Sequence, residues 1–274
     1  MDLPRAARSI TRVIWRGGTM TCATRVVPEE TPVAFTYNRA THAVMLATPS
    51  DLEDFAIGFS LAERVIDDPA QIKALEIVAL PEGIELRMDL AVGRLDALTH
   101  RQRRLAGPSG CGLCGMDSLT DATRAVPAVT ADPCFSPEAV ARALDAMPPG
   151  QHLHHATRAV HAAAFWTERD GIVALREDIG RHNALDKLSG TLVRQGIAAG
   201  GGLLLLSSRI SVEMVQKAAI LGAPVIVAIS APTALAIEVA ERANITLIGI
   251  ARQDGFEIFT HPHRIQPQAV QHVA

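Results

Sequence analysis

Leu203-Leu204-Leu205-Leu206-Ser207-Ser208-Arg209-Ile210-Ser211 passes from four leucines through a serine-rich turn into a helical pattern. Four consecutive apolar residues leave a strand no face for water. Such a strand belongs in a sheet covered on both sides, the habit of parallel sheets between helices. The same unit recurs downstream. Ser211–Leu221 has helical spacing, Val225–Ile229 is an apolar strand, Thr233–Ala243 is helical, and Ile245–Ile250 is a strand again. Phe256–Phe259 adds an edge strand. Upstream, Arg181–Arg194 is helical, after strands at Val160–Trp166 and Ile172–Glu177 that turn at Arg169-Asp170-Gly171. Helix and strand alternating in this way imply parallel crossovers within a mixed sheet. Ser136-Pro137-Glu138 opens one more helix with a cap, a first-turn proline and a carboxylate. That helix ends at Met147-Pro148-Pro149-Gly150.

The first half reads differently. Residues 1–31 offer one strand, Thr11–Trp15. Pro32–Tyr37 and His42–Thr48 form a hairpin about Asn38-Arg39-Ala40-Thr41, and Leu75–Leu80 with Ile84–Met88 form another about Pro81-Glu82-Gly83. Between them Ser50 and Glu53 make a capping-box pattern, followed by Leu52, Phe55, Ala56, Phe59 and Ala62 at helical spacing. That helix runs to about Val65 and stops at Asp67-Asp68-Pro69. Glu29, Glu30 and His42 read as surface residues. The expectation is a small N-terminal α+β domain over 1–130, then an α/β domain with a mixed sheet over 131–274.

With 274 residues, 48% of them hydrophobic and 20% charged, the chain can bury a substantial core. Net charge is −3, which argues against non-specific nucleic-acid binding, since that needs a basic face. Four cysteines, Cys22, Cys111, Cys114 and Cys134, are too sparse for a secreted disulfide framework. The first ten residues lack the apolar core of a signal peptide. Ala218–Ile237 is twenty residues without a charge. Gly222, Pro224 and Pro232 divide it into helix end, strand and helix start rather than a membrane span. A cytoplasmic chain is expected.

Three strand ends carry hydroxyls and arginines. They are Ser207-Ser208-Arg209 with Ser211, then Ser230-Ala231-Pro232-Thr233, then Ala251-Arg252-Gln253-Asp254-Gly255. Ligands in open α/β sheets gather at such ends, and free N–H groups at helix starts favour anions. Helix capping accounts for each hydroxyl taken singly. Neither a Walker glycine loop nor a dinucleotide-binding glycine fingerprint is present. Asp178, His182 and Asp186 cluster at a helix start that favours neutral histidine. They read either as catalytic or as carboxylates paired by Arg181 and Lys187.

A second chemistry-bearing stretch is Gly107-Pro108-Ser109-Gly110-Cys111-Gly112-Leu113-Cys114-Gly115. Proline and glycine argue against a regular helix or strand, and a mobile two-cysteine loop is expected over 106–118. Arg101, Arg103 and Arg104 would favour thiolate if they fold nearby. Sulfur or redox chemistry is one reading. The other is a zinc site, with ligands drawn from His152, His154 and His155. Cys22 and Cys134 have no partner at useful spacing and read as buried free thiols.

With these residues in view, the chain resembles the formate dehydrogenase accessory sulfurtransferase family, FdhD, from roughly Glu30 to Ile265. The marks are Glu30-Thr31-Pro32-Val33, Ala47-Thr48-Pro49, Ile57-Gly58-Phe59, Cys111-Gly112-Leu113-Cys114-Gly115 and Asp178-Ile179-Gly180-Arg181-His182-Asn183-Ala184-Leu185-Asp186-Lys187. Ser211-Val212-Glu213-Met214-Val215-Gln216-Lys217-Ala218, Ser230-Ala231-Pro232-Thr233 and Thr260-His261-Pro262 complete them. The resemblance implies a cytoplasmic homodimer whose C-terminal half has a cytidine deaminase-like fold. It implies a sulfurtransferase that takes persulfide sulfur from a cysteine desulfurase. The sulfur passes to the molybdenum or tungsten bis(molybdopterin guanine dinucleotide) cofactor that formate dehydrogenase needs. By motif, Cys111 is the persulfide carrier and Cys114 its neighbour. Ile250, Ala251, Arg252, Gln253, Asp254 and Gly255 contact the cofactor. Ser207, Arg209, Ser230 and His182 complete the expected binding set, and a GDP-like nucleotide is the expected surrogate ligand. No resident metal is expected, because the deaminase zinc pattern is missing. The rival reading is a chaperone that binds the cofactor without transferring sulfur.

Overall fold

The computed structural model describes residues 3–91 and 126–267. Cys111, Cys114 and the loop expected at 106–118 lie outside the described residues. Within them the chain forms three sheets, as a mixed α+β fold.

β1 (Ala7–Arg16) and β2 (Thr19–Pro28) make a two-stranded antiparallel hairpin. Gly17 and Gly18 turn it at φ 58° and 82°, the paired positive values that a two-residue hairpin turn requires. The sequence shows one short strand here, whereas the structure has two strands of ten residues. The reason is exposure. One face of the ribbon leaves Val13, Trp15 and Met20 60%, 68% and 72% exposed, so no inside–outside alternation marks it. Cys22 sits on this face opposite Val13 and is exposed rather than buried. Cys134 is exposed as well, in a surface segment where its Sγ lies 3.9 Å from the His263 carbonyl.

The second sheet has the order β4-β3-β6-β5, from β3 (Thr31–Tyr37), β4 (Ala40–Ala47), β5 (Ile72–Leu80) and β6 (Gly83–Leu90). Both expected hairpins are there, and β3 pairs with β6 in parallel. Alternation on β6 buries Ile84, Leu86, Met88 and Leu90. α1 (Leu52–Ala62) covers this face, with Phe35 stacked on Phe59 at 3.9 Å and edge-on to Phe55 at 4.9 Å. The Ser50–Glu53 capping box does not form. Asp51 holds the N-cap position at φ 52° with no side-chain cap. The Glu53 carboxylate turns instead to Arg194, 2.7 Å away. His42 is half-buried, its ring edge-on to Tyr37.

The third sheet has the order β12-β11-β10-β9-β7-β8. Its strands are β7 (His161–Thr167), β8 (Gly171–Asp178), β9 (Leu203–Leu206), β10 (Val225–Ala228), β11 (Thr246–Arg252) and β12 (Gly255–Thr260). The helices are α2 (Pro137–Ala146), α3 (His152–Thr157), α4 (Arg181–Arg194), α5 (Val212–Leu221) and α6 (Ala234–Arg242). Ser136 caps α2, its Oγ accepting the Ala139 N–H at 3.1 Å. Thr233 caps α6 by the same bond to Ala236, at 3.3 Å. Leu204, Leu206 and Ile226 pack with Leu185, Leu188, Met214 and Val239 on the α4–α5–α6 side. Leu203, Leu205, Val225 and Val227 pack with Val140, Ala143 and Met147 of the α2 side. Coverage of both faces is why these strands read as unbroken apolar runs.

α1 also crosses α4, and here the helix backbones touch. A Cβ on Gly58 would stand 1.7 Å from the Asp186 carbonyl oxygen, and one on Gly190 would stand 1.9 Å from that of Asp54. The Asp54 carboxylate accepts from Arg176 Nη2 at 2.8 Å, Thr191 Oγ1 at 2.9 Å and Arg194 Nη1 at 2.5 Å. Glycine permits the close approach, and these charge-assisted bonds hold it. No helix among the described residues is long and apolar enough to cross a membrane.

Candidate functional site

β9, β10 and β11 are parallel, and β8 shares their direction through the antiparallel β7. Their carboxyl ends therefore lie along one edge, together with the start of β7. Along that edge stand Asp178, His161, Ser207, Ile229–Ser230 and Ile250–Arg252.

Asp178 anchors one end. Its Oδ2 accepts from the Thr48 N–H at 3.0 Å and Lys187 Nζ at 2.7 Å. Its Oδ1 accepts from the Gly180 N–H at 2.7 Å and Asn183 Nδ2 at 2.9 Å. Both charged side chains of the pair are fully buried. Every direction at this carboxylate is used, so Asp178 positions the start of α4 and leaves no atom for a reacting group. Asp186 is paired in the same way, both oxygens taking Lys217 Nζ at 2.7 and 2.8 Å. The sequence pointed to Arg181 and Lys187 as partners of these carboxylates. Lys187 is one, but the other is Lys217 from α5.

His182, in the first turn of α4, is neutral at physiological pH. Burial, then the charges of Lys217 and Arg181, push it down from 6.5 to about 4. Between these values the unfolded chain binds a proton that the folded chain refuses. Stability is therefore complete above pH 6.5 and is lost as pH falls toward 4. The loss is at most about 3 kcal/mol from this group. His161, lowered by burial and by Arg181 and His154, acts in the same sense. Urea midpoints measured from pH 7 to 4 should fall, and His182→Gln should flatten the slope. An unchanged slope in that variant would remove His182 as its source.

The remaining expected residues fall along the edge as follows. The half-buried Ser207 Oγ accepts the Ala162 N–H at 2.8 Å. Ser230 accepts the Ile250 N–H through its carbonyl at 3.2 Å. Ile250 is exposed at φ 52°, a backbone region that costs a β-branched residue energy and recurs at functional sites. Ala251 is buried. The Arg252 guanidinium donates to the Ile229 and Ala251 carbonyls. Gln253 and Asp254 form the exposed turn into β12, and Gly255 opens that strand. Arg209 is exposed in the loop after β9. The β9 and β10 exit loops are tied together by a bridge between Ile210 and Pro232.

Between α3 and the ends of β9 and β10 lies a cleft of about 530 Å³, bordered by His154, Arg158, His161, Ser207 and Ile229. Sequence reasoning missed His154, Arg158 and His161 as a group. α3 has six residues, too few for periodicity to show. His161 comes to Ser207 only because β7 pairs antiparallel with β9. No group of three or more potential ligand side chains able to hold a metal occurs among the described residues. The zinc reading also needed Cys111 and Cys114, which lie outside them.

The model of the FdhD/NarQ family matches residues 28–266. The sulfur carrier protein FdhD of Agrobacterium fabrum is 51% identical over 259 residues, 94% of this chain and 96% of the relative. That of Bordetella petrii is 47% identical over 254 residues, 92% of this chain and 91% of the relative. A crystal structure from Desulfotalea psychrophila, of a protein assigned as a formate dehydrogenase accessory protein, shares the fold. Its TM-score is 0.74 at 23% identity, covering 95% of this chain and 100% of that one.

Proposed function

The chain belongs to the FdhD/NarQ family, and on that basis we propose that it carries sulfur for the maturation of formate dehydrogenase. The observation that carries this reading is the position of Cys111-Gly112-Leu113-Cys114 inside the matched span, in a chain 51% identical to a sulfur carrier. The donor is a cysteine desulfurase bearing a persulfide. The Cys111 thiolate attacks the outer sulfur of that persulfide. The donor's S–S bond breaks, its thiolate leaves, and a Cys111 persulfide forms with no net redox change. The acceptor is the molybdenum or tungsten bis(molybdopterin guanine dinucleotide) cofactor, bound as cargo along the carboxyl edge near Ser207, Ser230 and Ile250–Gly255. Transfer as sulfide needs two electrons. Attack of the Cys114 thiolate on the inner sulfur of the Cys111 persulfide supplies them. A Cys111–Cys114 disulfide forms and sulfide is released to replace an oxygen ligand of the metal.

Incubation with a desulfurase and sulfur-labelled cysteine is expected to place reducible label on the native chain and none on Cys111→Ala. Cys114→Ala should take up label and fail to pass it on. Equal labelling of Cys111→Ala and the native chain would overturn the assignment.

A further inference from the structure

We propose that the outer edge of β1 is a docking site for an extended segment of another protein, one in which acidic and apolar residues alternate. The ribbon precedes the span matched by the family model, and nothing in the sulfur chemistry calls on it.

β1 pairs with β2 alone, and among the described residues no strand borders its other side. β2 is the strand that packs on α3, where Arg25 Nη2 donates to the Thr157 carbonyl at 2.9 Å. The two-residue turn at Gly17-Gly18 makes Arg16 and Thr19 a hydrogen-bonded pair. Bonding then alternates along the ladder, so Trp15, Val13, Thr11 and Ser9 direct their N–H and C=O groups outward. All four residues are exposed. Such a row is a ready template for a further strand.

The two faces of this edge differ in chemistry. Alternation puts Arg8, Arg12 and Arg16 on one face of β1 with Ile10 and Ile14 between them, and Val13 and Trp15 on the other. Arg25 joins the first face opposite Ile10. The ribbon has no carboxylate of its own. Glu29 at its base takes Arg8 at 3.2 Å. No ion pair among the described residues reaches Arg12 or Arg16, and Arg12 Nε has no acceptor. A strand added to β1 sets its own side chains directly opposite these rows, about 5 Å away. Carboxylates on one side of it then meet the arginines, and apolar side chains on the other meet Val13 and Trp15.

Charge also selects among occupants. A second copy fits poorly, because pairing two β1 edges with their faces matched sets two arginine rows side by side. Like charges across a ladder destabilise it. A nucleic acid or an anionic membrane fits poorly as well. The ribbon holds four positive charges in a chain of net charge −3, so the rest of the chain carries −7 and repels an extended polyanion. A short acidic strand meets the ribbon alone.

The test is calorimetric titration of the full chain with three synthetic peptides, alongside amide exchange followed by NMR. One peptide alternates glutamate and valine, one has the same composition in two blocks, and one alternates lysine and valine. The alternating acidic peptide should bind, and binding should weaken as salt is raised. It should protect the N–H groups of Ser9, Thr11, Val13 and Trp15 and leave those of Ile10, Arg12 and Ile14, already bonded to β2, as they were. The block peptide should bind about tenfold more weakly or worse, and the lysine peptide not at all. Arg12→Gln combined with Arg16→Gln should weaken the acidic peptide by about tenfold, as the loss of two exposed ion pairs does. Arg169→Gln, on the exposed turn between β7 and β8, should change nothing. No binding at low salt, equal binding of the block peptide, or binding without protection along β1 would overturn the proposal. Dimers that Trp15→Ser abolishes would give the edge to a second copy and overturn it too. So would phosphatidylserine vesicles or an oligonucleotide that bind through Arg12 and Arg16 more tightly than the peptide does.

Discussion

Gly58→Ala is expected to destabilise the protein by about 3 kcal/mol or more, seen as a lower urea midpoint with an unchanged m-value. The new methyl carbon would sit 1.7 Å from the Asp186 carbonyl oxygen and 2.6 Å from its carbon. Backbone cannot rotate away as a side chain does, so α1 and α4 must separate. Separation strains the Asp54 bonds to Arg176 and Arg194 on the far side of the same crossing. Gly190→Ala should behave alike, because its methyl meets the Asp54 carbonyl at 1.9 Å. The double variant should cost less than the sum, since helices already parted admit the second methyl cheaply. Gly201→Ala, where nothing lies within 4 Å, serves as the neutral control. A loss below about 1 kcal/mol for Gly58→Ala would mean that the crossing relaxes freely, contrary to close packing.

Asp178→Ala should cost about 3–5 kcal/mol, the usual result of leaving one member of a buried ion pair alone. Lys187 would then stand with no carboxylate, keeping only the Thr48 carbonyl at 2.8 Å and the Phe55 ring, 5.5 Å to its centre. Replacing both charges, as Asp178→Leu with Lys187→Met, often restores stability when a pair has no other partners. It should not do so here. The Thr48 and Gly180 N–H groups would still have lost their acceptor, and the Asn183 amide would keep only the Leu46 carbonyl at 2.9 Å for its two protons. Urea unfolding of the two single variants and the double closes the cycle. A double variant as stable as the native chain would show that those three donors find water, and that the carboxylate is replaceable.

Fold legibility followed burial. β9, β10 and β11 declared themselves because strands covered on both faces are continuously apolar. The two hairpins of the second sheet did so through alternation and turn residues. The β1–β2 ribbon hid because one of its faces meets solvent. Its one available signal was the Gly17-Gly18 pair between β-branched runs. Gly58 and Gly190 count against helix by propensity, and only the neighbouring helix explains them. At the candidate site, the strand-end rule found Ser207, Ser230 and Ile250–Gly255 on one edge. It could not find His154, Arg158 and His161, which arrive from a short helix and an antiparallel neighbour. Nor could spacing pair Asp186 with Lys217, thirty-one residues away in sequence.

The chain holds two tryptophans, and the fold sets them in opposite surroundings. Trp15 stands 68% exposed near the tip of the ribbon, while Trp166 is 4% exposed inside β7. The first already emits as a solvated indole, so denaturation reddens only the second. A collisional quencher silences Trp15 and spares Trp166. The native protein thus carries its own optical gauge of the core between the large sheet and α2, readable without a label or an added fluorophore.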